Sequence, residues 1–147
     1  MTKSHHPRAP HRDDYAKFQT ITLRWHDNDQ YGHVNNVVYY QFFDTIVNQV
    51  LMEAGLLDVE KSKIVGFVVG TNCNFFSSLA YPGKIEIGMA VAQLGRTSAR
   101  YRLAVFGEGA ERASAAGEFT QVYIERGVQR PVDIPADVRA FLETLQK

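Results

Sequence analysis

The sequence predicts an α+β domain in which an antiparallel sheet of about five strands wraps around one long helix. Three observations carry this. A broad apolar stripe at helical spacing runs from Val37 to Ala54, four later stretches alternate in the manner of strands, and Gly- or Pro-containing turns separate them.

In chain order, residues 1–14 are Pro- and charge-rich and read as a flexible N-terminal arm, leaving 15–147 as one domain. Phe18 to Trp25 alternates and is expected to form the first strand. A polar loop, HDNDQYGHVNN, follows it. The helix places Tyr39, Phe42, Phe43, Ile46, Val47, Val50, Leu51 and Ala54 on one side, so it is expected to be largely buried. Asn35 or Asn36 can cap its start, and Gly55 stands where helices commonly end in a left-handed residue.

After Lys63 the expected strands are Ile64–Leu79, Lys84–Leu94, Ser98–Phe106 and Ala113–Ile124. Pro82-Gly83, Gly95-Arg96 and Gly107–Gly109 read as hairpin connections between them. A short amphipathic helix after Pro135 carries Val138, Phe141, Leu142 and Leu145. Five or so strands leave sheet edges open, which predicts a homodimer at least, and a homotetramer is compatible.

Composition narrows the function classes. Sixteen basic and sixteen acidic residues cancel, so no whole-molecule field points to nucleic acid or an anionic membrane. The single cysteine, Cys73, excludes an internal disulfide framework and fits a reducing cytoplasm. No apolar run approaches the roughly 18 residues of a membrane helix, and no secretory leader is visible, so a soluble cytoplasmic protein is expected.

The loop from His26 to Asn36 concentrates reactive side chains directly before the most hydrophobic helix. Amides at a helix start lack intrahelical partners and carry the positive end of the dipole, so they can hold a developing oxyanion. Asp29 lies a few residues upstream, close enough to face the same spot. Asp27 reads as a cap or a favourable dipole charge, and Tyr39 and Tyr40 as core or pocket wall. His26, Asp27, Asp29 and His33 do not form a metal motif: the twelfth position of a calcium loop counted from Asp27 is Val38, and no H-E-x-x-H is present. The serine-hydrolase elbow and the dinucleotide fingerprint are also missing, and Cys73 reads as a buried small hydrophobe.

The run Asp27, Asp29, Gly32, His33, Val34, Asn35, Asn36 and Tyr39 fits D-x-D-x-x-G-H-V-N-N-x-x-Y between a strand and a buried helix. In this the chain resembles the hotdog-fold acyl-CoA thioesterases of the 4-hydroxybenzoyl-CoA thioesterase type, over nearly its whole folded length. The resemblance implies a hotdog fold, Asp29 as the catalytic carboxylate, and the oxyanion amide at Asn36 or Val37. It implies a site at a dimer interface, with Asn74, Ser77 and Ser78 facing the partner's helix start. His33 either polarises and orients substrate or fixes the loop, and Asn35, Val37 and Tyr39 are expected to line the substrate site.

The activity expected is hydrolysis of an acyl-CoA thioester without cofactor or metal, Asp29 acting as nucleophile or as general base on water. Coenzyme A phosphates need a local basic group, for which Arg96 is the first candidate and Lys84, Arg126 and Arg130 follow. Two rivals share the fold: a hydratase or dehydratase using His33 and Asp29, and a non-catalytic acyl-CoA-binding module.

Overall fold

A computed structural model describes residues 8–147. The strands are β1 (Lys17–Thr22), β2 (Ile64–Thr71), β3 (Asn74–Phe75), β4 (Lys84–Leu94), β5 (Ser98–Gly107) and β6 (Ala115–Glu125). The helices are α1 (Asn36–Glu53) and α2 (Ala136–Glu143). All strand pairs are antiparallel, in the order β1-β4-β5-β6-β2, with the short β3 also on β6. This is the expected fold: a hotdog arrangement of one sheet around one helix.

Alternation decides what the sheet buries. Ile85, Ile87, Met89 and Val91 of β4 and Ala99, Tyr101, Leu103 and Val105 of β5 face α1, which answers with Tyr39, Phe42, Phe43, Ile46, Val47 and Leu51. Full burial of such a side chain stabilises by about 1.5–3 kcal/mol, which makes this contact the main support of the fold. The helix ends as its sequence requires: Gly55 takes φ +73°, and the Leu56 amide reaches back to the Leu51 carbonyl.

Four sequence expectations need correction. The first strand stops at Thr22 rather than Trp25, because the Arg24 backbone and guanidinium both bind Asp27 and wind Trp25–Asp27 into a 3₁₀ turn. The single strand expected over Ile64–Leu79 is two, β2 and β3. Its register slips between Val68 and Gly70, and the ladder breaks at residues 72–73, where the Asn72 carbonyl lies over Gly117, before β3 resumes on the same edge of β6. A Cβ on Gly117 would stand 1.8 Å from the Asn72 carbonyl oxygen, so only glycine admits that close approach.

Pro82-Gly83 is not a hairpin turn. β2 and β3 pair with β6 and not with β4, and residues 76–83 carry the chain across to the far side of the sheet. Alternation marks a strand without naming its partner.

The expected N-terminal arm falls partly outside the described residues. From residue 8 onward it is held against the outer sheet face: the Arg12 guanidinium pairs with Glu86 at 2.8 Å, and Ala113 donates to the Pro10 carbonyl. Tyr15 packs edge-on to Phe106, with Ala90, Ala104 and Ala116 beside it, so this segment covers apolar surface that water would otherwise meet. No helix among the described residues is long and apolar enough to cross a membrane.

Candidate active site

The polar loop is a compact turn locked at several points. The Asp29 amide donates to the His33 carbonyl, Gly32 donates back to the Asp29 carbonyl, and Asn28 bridges Val34 across the turn. Gly32 sits at φ +84°, a left-handed conformation that favours glycine. The turn is then tied to residues 77–82: Val34 donates to the Leu79 carbonyl, and Tyr81 donates to the Asn28 side chain.

The two aspartates of this loop are placed differently. Asp27 is 2% exposed, and its oxygens take the Arg24 amide at 2.7 Å and the Arg24 guanidinium at 2.9 Å. Asp29 is only partly buried. One of its oxygens accepts the Tyr31 amide at 2.8 Å, and the other has no partner among the described residues. Asp29 borders a cleft of about 360 Å³ together with Trp25, Asn28, Gln30, Gly32, Tyr81 and Pro82.

The start of α1 shows which amide is available. Asn35 caps the helix by accepting the Val37 amide at 3.1 Å, and the Val38 amide goes to the Asn35 carbonyl. The Asn36 N–H is left with no partner among the described residues, and Val37 is not the free donor. Asn36 borders a second hollow of about 320 Å³, with Val34, Tyr39, Phe75, Ser77 and Ser78. Tyr39 meets Phe75 edge-on at 5.0 Å, and burial pushes its phenol up to about 12, so it is wall rather than acid.

The structure thus brings Asp29, Asn35, Asn36, Tyr39, Ser77 and Ser78 onto one pair of segments, the 28–39 turn-and-helix start and the strap at 75–82. Asp29 and Asn36 line neighbouring hollows rather than one. His33 is exposed on the same turn, and Asn74 is exposed on β3. Ser77 spends its hydroxyl on Ser114 at 2.9 Å.

Arg96 is not brought there. It sits at the β4–β5 turn and pairs with Asp133. β4 starts beside the Asp29 cleft, and eleven residues of strand at about 3.3 Å each carry Arg96 to the far end of the sheet. Lys84, at the near end, is the basic residue adjoining Pro82 and Gly83. Burial pushes the Cys73 thiol up to about 11, opposite to what a nucleophile needs. Among the described residues no group of three or more His, Cys, Asp and Glu is placed to hold a metal ion.

Sequence reasoning missed Trp25 and Tyr81, which form the aromatic wall of the Asp29 cleft at a ring separation of 5.9 Å. The signal was available in Trp25, the only tryptophan, placed directly before the polar loop. It was absorbed into the expected strand instead.

Residues 23–142 match the thioesterase-like superfamily. The chain belongs to that superfamily. Among solved structures, this thioesterase-like chain is similar to the PA5185 protein of Pseudomonas aeruginosa strain PAO1, with 51% identity, 96% of this chain and 98% of that one covered, and a TM-score of 0.92. The DHNA-CoA thioesterase of Staphylococcus aureus shares the fold at 23% identity, covering 86% of this chain and 85% of that one, with a TM-score of 0.75. The BH1999 gentisyl-coenzyme A thioesterase does so at 23% identity, 86% and 99% coverage, and a TM-score of 0.77. No curated protein matches the sequence. Thioester hydrolysis is the general chemistry that membership of the thioesterase-like superfamily supports.

Proposed function

We propose that this protein hydrolyses acyl-coenzyme A thioesters, with Asp29 as the reacting carboxylate and the Asn36 amide as the oxyanion donor. The observation that carries this reading is the pairing pattern around the loop. The Asp27, Asn28 and Asn35 side chains are each occupied by a structural partner, while one Asp29 oxygen and the Asn36 N–H have none among the described residues and their residues border two hollows. A donor at a helix start is preorganised for negative charge on the thioester oxygen.

Two routes use the same carboxylate. In one, an Asp29 oxygen attacks the carbonyl carbon, the C–S bond breaks, the thiolate leaves, and water then hydrolyses the acyl-aspartyl anhydride. In the other, Asp29 takes a proton from a water that attacks directly. Single turnover in H₂¹⁸O separates direct water attack, which puts the label in the released acid, from an anhydride opened by water at its aspartyl carbonyl, which leaves the label in Asp29.

The site is completed by a second copy in this reading. β2 is an edge strand with Phe67, Val68 and Val69 exposed, Phe75 lies beyond it, and Val37 is exposed on the helix start. Pairing two β2 edges covers this apolar surface and satisfies the open edge. It also sets one copy's strap against the other's helix start. Lys84 replaces Arg96 as the residue proposed to hold a coenzyme A phosphate, since it stands two residues after Pro82, which lines the Asp29 cleft. Two proteins of the same fold named as CoA thioesterases support coenzyme A as the carrier.

A thiol-release assay across saturated, aromatic and α,β-unsaturated acyl-CoAs tests the proposal. Release of free coenzyme A is expected; hydration of crotonyl-CoA without thiol release would establish the hydratase reading, and saturable binding with no turnover the non-catalytic one.

A further inference from the structure

Asn28 stands directly before Asp29, and its side chain engages backbone at both ends. Its carbonyl oxygen accepts the Tyr81 amide at 3.0 Å, while its NH₂ group reaches the Gly32 carbonyl at 3.5 Å. The first contact leaves the turn for the strap; the second, at the long limit of a hydrogen bond, stays within the turn.

Little else joins these two segments. Among the described residues, residues 28–34 and the strap share two hydrogen bonds, Val34 to the Leu79 carbonyl at 2.8 Å and Tyr81 to Asn28. The Val34 bond lies toward the start of α1, and the Asn28 bond lies beside Asp29. Tyr81 is half-buried, the β4 ladder begins only at Lys84, and Pro82 has no N–H to offer. Without the Asn28 oxygen the Tyr81 N–H loses its partner, which is unfavourable for a half-buried donor. The Tyr81 ring packs edge-on to Trp25, and all four residues, Trp25, Asn28, Asp29 and Tyr81, border one cleft.

We infer that Asn28 is a positioning residue, which fixes Asp29 against the strap through Tyr81 rather than by touching substrate. The inference rests on the reading of Asp29 as the reacting carboxylate. An amide suits this place because one planar group presents an acceptor to Tyr81 and a donor to Gly32. A reacting group displaced by about 1 Å loses about 10²-fold in rate, so a tie next to the carboxylate bears on kcat.

Asn28→Ala and Asn28→Asp in the full chain test this. The readouts are hydrogen exchange of the Tyr81 amide by NMR, and kcat and KM for thiol release from benzoyl-CoA or hexanoyl-CoA, whichever the wild type hydrolyses faster. Kinetics are taken well below Tm, where a merely structural loss leaves kcat untouched. Asn28→Ala is expected to speed Tyr81 exchange and lower kcat, each at least about tenfold, with KM held within about threefold. Asn28→Asp keeps the size and the acceptor, and is expected to restore Tyr81 protection and bring kcat back to within about threefold. Unchanged kcat in Asn28→Ala, a rise in KM alone, or an Asn28→Asp protein that protects Tyr81 without recovering kcat would each overturn the inference. Asp29→Asn is expected to leave Tyr81 exchange as in wild type. An active Asp29→Asn protein would thus remove the catalytic reading, whereas an inactive one beside a fully active Asn28→Ala would remove only the role of Asn28.

Discussion

The Asn35 side chain accepts the Val37 amide at 3.1 Å, and this one contact makes the Asn36 N–H the donor left open at the head of α1. A cap therefore does two things here: it starts the helix and selects which amide faces the hollow.

Replacing Asn35 by alanine is expected to cost about 1 kcal/mol of stability and also to lower kcat, because the freed first turn no longer fixes the Asn36 amide. Asn35→Asp keeps the acceptor and should retain both properties. Thermal melts beside steady-state kinetics check this, and an Asn35→Ala protein with unchanged kcat would separate the cap from the oxyanion donor.

Asp27 and Asp29 stand two residues apart and should fail in opposite ways. Asp27 is buried and holds Arg24, so Asp27→Asn puts an amide N–H against a guanidinium and is expected to lower Tm by roughly 5 °C. Its kcat should stay within a few-fold of wild type. A variant that melts normally but loses activity would move the chemistry to Asp27.

Much of this was legible before the structure. The α1 stripe, its Gly55 stop and the clean alternation of β4 and β5 are local signals, and the elements lie within a residue or two of where those signals put them. Strand pairing was not legible. Nothing local in Ile64–Leu79 says that β2 pairs with β6, or that Gly117 clears a path for Asn72; those are contacts between segments more than 40 residues apart. The same gap affected the site. The motif offered Asp29 and Asn36 as candidates, while the Trp25 and Tyr81 wall depends on the cross-chain strap, and a turn arginine such as Arg96 reveals nothing in sequence about which end of a sheet it occupies.

The β2 edge gives a prediction about assembly. Phe67 is 56% exposed on that strand, and Phe67→Lys places a charge where the second copy is proposed to pack. Sedimentation is expected to shift from dimer or tetramer toward monomer, with kcat/KM falling at least about tenfold because the proposed site draws on both copies. A wild-type protein that sediments as an active monomer at micromolar concentration would contradict the shared site.

The central claim rests on Asp29, and kcat of Asp29→Asn tests it most directly. The asparagine keeps the size and can still accept the Tyr31 amide that Asp29 holds at 2.8 Å, so the turn and the melting temperature should be retained. An amide is neither a useful nucleophile nor a base, and kcat for acyl-CoA hydrolysis should fall by at least about 10²-fold. Near wild-type kcat in a folded Asp29→Asn protein would place the reacting group elsewhere.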